Sequence, residues 1–328
     1  FRACLLYTSD AAGRILDQEF VPERVRWLAQ GELERDGWQN AGQAGLLCAE
    51  MPTKYGGGGG DYRHDTVIME EFTKRGLNGW GNQVHSSIVA PYVLHYGRED
   101  QRRRWLPGMA TGDLVGAIAM TEPNTGSDLQ SVRTTAIRDG DEYVINGTKT
   151  YITNGQHADL IIVVAKTDPN LGAKGISLIV VEADSAGFER GRNLKKLGLK
   201  SADTSELFFS DCRVPVANRL GEEEGRGFIQ LMQQLPQERL SIAQAAVVSA
   251  ERAIEITTEF VAERKAFGQR VLDFQNTRFK LAECKTEALI GRTFVDQCLV
   301  RLLKGELDPA TASMAKYWCT EKQCQIID

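Results

Sequence analysis

Residues 133–155 read RTTAIRDGDEYVINGTKTYITNG. The stretch alternates and is punctuated by Asp139-Gly140 and Asn146-Gly147. Such dipeptides suit two-residue hairpin turns, because both central positions tolerate positive φ. Further on, DLIIVVAKT (159–167) and GISLIVVEA (175–183) are short runs rich in β-branched residues, and ELFFSDCRVP (206–215) resembles them. Together they predict an antiparallel β domain over 114–218 rather than a series of βαβ units. With no G-x-G-x-x-G in the chain, a dinucleotide-binding parallel sheet is disfavoured.

On both sides the pattern turns helical. RILDQEFVPERVRWLAQ (14–30) and HDTVIMEEFTKRG (64–76) place apolar residues at i, i+3 and i+4. Between them KYGGGGGDYRHD (54–65) lacks G-K-[ST] and follows no strand, so a flexible surface loop is expected rather than a phosphate loop. Beyond the β region, SIAQAAVVSAERAIEITTEFVAERKAFG (241–268) runs without a breaker to Gly268. FQNTRFKLAECKTEALIGRTFVDQCL (274–299) and DPATASMAKYWCTEKQCQIID (308–328) follow, the last with Asp308 as N-cap and Pro309 at the first helical position. The expected fold class is α+β and multidomain. An N-terminal helical domain covers 14–113, a middle antiparallel β domain 114–218 and a C-terminal helical bundle 219–328. Residues 3–13 fit the helical pattern poorly and are set aside. The last helix carries no stop signal, so the bundle reads as incomplete.

Composition narrows the function. The 328 residues carry a net charge of −5, with 42% hydrophobic and 25% charged residues. That balance gives no reason to expect a nucleic acid partner. The triplet Arg102–Arg104 follows two acids and reads as a solvated helix end. Seven scattered cysteines without a C-x-x-C pair suggest reduced thiols, hence the cytoplasm; no signal or transit peptide is recognised. The four histidines show no ligand spacing, so no metal is expected, and no apolar run is long enough to span a bilayer.

One residue is out of place. In QLMQQLPQERLSIAQAAV (230–247), Leu231, Leu235 and Ile242 repeat at helical spacing and Glu238 falls on their stripe. A carboxylate on an apolar face either finds an ionic partner or is a desolvated group with a raised pKa, suited to act as a general base. Local pattern leaves both readings open.

Three motifs in order, AIAMTEPNTGSD (117–128), INGTKTYITNG (145–155) and ERKAFGQRVLDFQ (263–275), resemble the acyl-CoA dehydrogenase family. LGLKSADTSELFFSD (197–211), LPQERL (235–240) and ATASMAKYW (310–318) look most like its long-chain subgroup. The resemblance covers nearly all of 14–328. It implies FAD-dependent α,β-dehydrogenation of a medium- to long-chain acyl-CoA thioester. A Glu takes the α-proton while the β-hydrogen leaves as hydride to the flavin. Glu238, in E-R-L, matches that base.

The other roles are likewise implied by the resemblance. Ile118, Ala119, Met120 and Thr121 match a strand that bonds the flavin ring, Gly126 permits a turn, and Ser127 touches flavin and CoA. Tyr151, Ile152 and Thr153 match a stretch packed on the flavin face; many members have Trp at the position of Tyr151. Arg264 and Gln275 match residues that reach the pyrophosphate and adenine half of FAD, where an Arg fork suits phosphate. Pro236, Gln237 and Arg239 match substrate contacts beside the base, and Lys174 and Gly175 a loop near CoA. Ile229 stands where long-chain relatives often have Tyr. The family's Gly-Gly segment for FAD binding is not in the sequence. An electron-transferring flavoprotein as electron acceptor and a homotetramer are implied. The competing readings are a branched short-chain (isovaleryl-type) dehydrogenase, an acyl-CoA oxidase, and a non-catalytic flavin or CoA binder, which would have no need of Glu238.

Overall fold

Helices come first. The computed structural model describes residues 2–77 and 79–328, the side chains of 2–4 excepted. The N-terminal helices are α1 (Arg2–Ile15), α2 (Arg24–Gln30), α3 (Arg35–Gln43), α4 (Tyr62–Lys74), α5 (Asn82–Val84), α6 (Ala90–Tyr96) and α7 (Glu99–Thr111). The stretch 3–13, set aside on sequence grounds, lies inside α1, where Ala12 is buried, as is Leu16 in the following turn of the chain. The Arg102–Arg104 triplet sits near the start of α7, where Arg103 and Arg104 are exposed as expected. Arg103 pairs with Glu99 at 2.8 Å and Arg104 with Glu182 at 2.8 Å.

The glycine run is bonded, not loose. Gly59 N–H donates to Met51 O at 2.8 Å and Gly60 N–H to Ala49 O at 3.0 Å. A Cβ on Gly57 would stand 2.4 Å from Met51, so the run is glycine because two backbones pass in contact.

Strands β1 (Gly116–Ala119), β2 (Thr135–Asp139), β3 (Glu142–Thr153), β4 (Leu160–Lys166), β5 (Ile176–Glu182), β6 (Phe188–Asn193) and β7 (Thr204–Pro215) form one seven-stranded sheet. The β2–β3, β3–β7, β6–β7 and β4–β5 pairs are antiparallel. The sheet is nevertheless mixed. β4 pairs in parallel with β1 over Leu160–Val163 and with β2 at Lys166. The sequence concealed this, because here the parallel connection from β1 runs through a loop and the β2–β3 hairpin, with no crossover helix to announce it. Core residues alternate along the strands: Ala136; Tyr143 and Ile145; Ile161, Val163 and Ala165; Ile179 and Val181; Leu207 and Phe209.

Both expected turns move. The β2–β3 turn is centred on Gly140-Asp141, with Gly140 at φ 64°, one residue beyond the dipeptide expected. Asn146-Gly147 makes no turn. It lies inside β3 opposite a bulge, where β7 carries the extra residue and Asp211 adopts φ 48°. Asn146 exchanges two hydrogen bonds with Asp211, at 2.9 and 3.0 Å.

α8 (Gly227–Glu263), a short hairpin β8 (Lys265–Ala266) and β9 (Gln269–Arg270), α9 (Gln275–Leu303) and α10 (Pro309–Ile327) complete the chain. α8 stops at Glu263, five residues before Gly268, because Phe267 (φ 53°) and Gly268 (φ 80°) make the turn of the β8–β9 hairpin. Asp308 caps α10 as expected, accepting from Thr311 N–H at 2.9 Å. Two compact units result. One extends to Ile68 and resumes over Leu77–Gln234, and so holds the sheet and the N-terminal helices except the end of α4. The other combines Met69–Gly76 with Leu235–Asp328. Among the described residues no helix is long and apolar enough to cross a membrane.

Candidate functional site

The first motif begins on a braced strand. One edge of β1 is paired with β4, and its first residue is held from two further directions. Gly116 N–H donates to His85 Nδ1 at 3.0 Å, and Gly116 O accepts from Asn154 Nδ2 at 2.9 Å. His85 Nε2 donates in turn to Met109 O at 2.9 Å. A carbonyl only accepts, so the proton is on Nε2 and the ring is neutral. Burial agrees, pushing the imidazole down to about 4.

The far end of the strand is held by the second motif. Thr150 N–H donates to Thr121 O at 2.9 Å. Lys149 is fully buried, and its Nζ donates to Met120 O at 3.1 Å, Glu122 Oε1 at 2.9 Å and Val164 O at 2.7 Å. Glu122 also accepts the N–H groups of Arg133 (2.7 Å) and Thr134 (3.0 Å). Burial raises its pKa, but the Lys149 charge and these hydrogen bonds outweigh that and hold it below the usual carboxylate range. Burial depresses the Lys149 ammonium to about 8. From Gly116 to Glu122 the backbone therefore has little freedom, which is what a precise binding surface requires.

On this frame Ala119 is buried, while Ile118, Met120 and Thr121 are half-buried. Past Lys149 the strand carries a second bulge, with Thr150 and Tyr151 together opposite Glu206 alone. Tyr151 takes φ 58° and is 69% exposed, whereas Ile152 is buried and Thr153 half-buried. An aromatic in left-handed backbone costs of order 1–3 kcal/mol, a strain that clusters at binding sites. Ser127 is exposed. Gly126 is not in the left-handed region, and a Cβ added there meets nothing within 4 Å. The turn itself therefore does not demand glycine. Open space at Gly126, a rigid backbone and an exposed aromatic are compatible with the flat face of a flavin.

Glu238 lies in the other unit. The buried face of α8 there is Leu240, Ala243, Val247, Ala250 and Ile254. The stripe that drew attention in the sequence is a different one. Leu231 is buried, Leu235 and Glu238 are half-buried and Ile242 is 37% exposed, so it is a partly open apolar surface rather than core. Pro236 and Gln237 are buried and Arg239 is half-buried. Pro236 has no N–H to give the carbonyl one turn back, and Ser241 Oγ donates to Glu238 O at 2.8 Å.

Arg264 and Gln275 are both exposed, at the two ends of the hairpin connection from α8 to α9. Lys174 is exposed on the loop before β5. Gly175 is buried, and a Cβ there would stand 1.8 Å from Asp168 O, so close backbone approach accounts for this glycine without a ligand. The structure thus joins 118–121 to 150–153 directly, while Arg264 and Gln275 flank the β8–β9 hairpin and Lys174 and Gly175 lie on the segment before β5.

Glu122 and Lys149 did not stand out in the sequence, although both lie inside the motifs quoted above. The signal was there. Counting by two from Tyr143 and Ile145 through Gly147 reaches Lys149 on the core face. His85 and Asn154 left no comparable trace. Among the described residues no cluster of three or more His, Cys, Asp or Glu could hold a metal ion.

Comparison with known proteins gives three family-model matches. They are the N-terminal domain of acyl-CoA dehydrogenase over 7–113, its middle domain over 117–212 and its C-terminal domain over 225–328. The chain is 46% identical over 316 residues to the mitochondrial long-chain specific acyl-CoA dehydrogenase of Sus scrofa, covering 96% of this chain and 73% of that protein. It is similar to the crystal structure of an acyl-CoA dehydrogenase from Geobacillus kaustophilus, with a TM-score of 0.97, 46% identity and coverage of 99% and 86%. A glutaryl-CoA dehydrogenase from Mycobacterium smegmatis, solved in complex with FADH2, matches with a TM-score of 0.88, 27% identity and coverage of 98% and 82%.

Proposed function

Because the chain belongs to the acyl-CoA dehydrogenase family, we propose that it carries out FAD-dependent α,β-dehydrogenation of medium- to long-chain acyl-CoA, with Glu238 as the base. The observation that carries this reading is the position of Glu238 on a partly open apolar stripe rather than in the bundle core. A carboxylate beside Leu235 and Ile242 becomes desolvated once an acyl chain covers that surface. Its basicity then rises toward what removal of a weakly acidic α-proton needs.

When bound, the flavin supplies the hydride acceptor. The chain's own residues bind and orient it. Ile118–Thr121 present a braced backbone edge, Tyr151–Thr153 a wall, Ser127 a hydroxyl, and Arg264 and Gln275 a phosphate contact and an adenine contact. Pro236, Gln237 and Arg239 flank the base, and Lys174 with Gly175 would lie along CoA. The similarity to a long-chain specific enzyme favours the longer substrates over isovaleryl-CoA. Transfer of electrons to an electron-transferring flavoprotein and assembly as a homotetramer belong to the same proposal. A cytoplasmic location rests on the scattered thiols alone.

Anaerobic addition of palmitoyl-CoA to the FAD-loaded protein tests the reading. Bleaching of the oxidised flavin band in wild type, and its absence in Glu238→Gln, is expected. Bleaching by isovaleryl-CoA alone would move the substrate class to the branched short chains. A flavin that stays oxidised with every acyl-CoA would leave a non-catalytic binder.

A further inference from the structure

Lys149 has no assigned role, yet among the described residues it is the fully buried lysine. Burying an ammonium is expensive unless its charge and all its N–H groups are met. Here they are. Its three protons match three acceptors on two segments: Met120 O and Glu122 Oε1 in the loop after β1, and Val164 O in β4. The next residue, Thr150, donates to Thr121 O, and the one after is the strained, exposed Tyr151. An apolar side chain at this core position would leave three acceptors, one of them a buried carboxylate, without their cation. The lysine is therefore a costly choice for filling space and a good one for fixing geometry.

We propose that Lys149 is a positioning residue. It locks Met120–Glu122 against the Tyr151 bulge and so sets the distance between the backbone edge and the aromatic wall that the flavin face uses. The inference rests on the flavin reading for its purpose, though not for its geometry. Among the described residues Glu122 is the titratable side chain that faces it. Met120 and Val164 offer only carbonyls, and Arg133 and Thr134 reach Glu122 through backbone N–H groups.

Two readouts on the full-length chain test this, with Lys149→Met, Lys149→Arg and Glu122→Gln. The first is hydrogen exchange without cofactor. Amides 120–122 and 150–152 should exchange at least tenfold faster in Lys149→Met, while 161–164 on β4 stay protected. The second is FAD affinity with the visible circular dichroism of the bound flavin. Lys149→Met and Glu122→Gln should weaken binding about tenfold and alter the dichroism, and Lys149→Arg should recover part of both. If wild type binds no flavin, the flavin reading fails while the exchange data still decide the positioning. Unchanged exchange at 120–122 and 150–152 in a folded variant overturns the proposal. If Lys149→Met does not fold, the same exchange measurement on Glu122→Gln decides between the two outcomes.

Discussion

The amide of Thr150 donates to the carbonyl of Thr121 over 2.9 Å, so two separate sequence motifs share one hydrogen bond. Beside it Tyr151 is held in left-handed backbone and points its ring outward. That combination separates stability from binding. Tyr151→Gly should relieve the backbone strain and raise stability by about 1 kcal/mol, read as a small rise in Tm. FAD affinity should fall at least tenfold. A variant that loses stability would show that the ring is a packing element and the strain immaterial.

Gly126 offers the complementary test. Nothing lies within 4 Å of an added Cβ, and its φ is ordinary. Gly126→Ala should leave Tm within the equivalent of about 0.5 kcal/mol, as for a surface change. If a ligand approaches closely there, FAD or acyl-CoA affinity should nevertheless drop severalfold. Unchanged affinity would place the bound groups elsewhere.

In the second unit Arg292 lies between two carboxylates. It donates to Glu70 at 2.5 Å and to Glu251 at 2.6 and 3.1 Å, with all three side chains about a quarter exposed or less. Arg292→Leu would leave two acids facing each other without a cation. A loss of about 2–4 kcal/mol is expected, below the full cost for buried pairs because water still reaches the cluster. Arg292→Lys should lose less, since it keeps the charge but not the fork. Chemical denaturation measures both; equal losses would mean that the fork, not the charge, matters.

Acid should act on two buried groups in opposite directions. His85 has a folded pKa of about 4, below its unfolded value of about 6.5. Its contribution is intact above pH 6.5 and is lost as pH falls to 4, by about 3 kcal/mol. Asp65 is fully buried, and burial raises it to about 7 even though it accepts the amides of Ala49 and Glu50. Over the same window its protonation favours the folded state. Wild-type stability should therefore vary little between pH 7 and 4.5. In Asp65→Asn the histidine effect should stand alone, giving a steep loss on acidification. Equal pH slopes in the two proteins would show that Asp65 does not titrate there.

Much of this was legible in the chain. Periodicity of two marked the strands, periodicity of 3.6 the helices, and Asp308-Pro309 the start of the last one, because those signals act over a few residues and need no partner. Glu238 was visible as a misplaced charge. What local pattern could not supply was which residues meet. The parallel β1–β4 pairing depends on a connection that carries no helix. The bulge opposite Asn146 depends on an extra residue in β7, far along the chain, and it turned an expected hairpin into continuous strand. The stripe of Leu231, Leu235 and Ile242 read as one apolar face, but packing buries Leu231, leaves Ile242 open and puts Leu240, Ala243 and Val247 inside instead. Most of all, a lysine reads as surface by its chemistry. Only the tertiary structure brings Met120, Glu122 and Val164 around Lys149, and only there does the burial of a charge become tolerable.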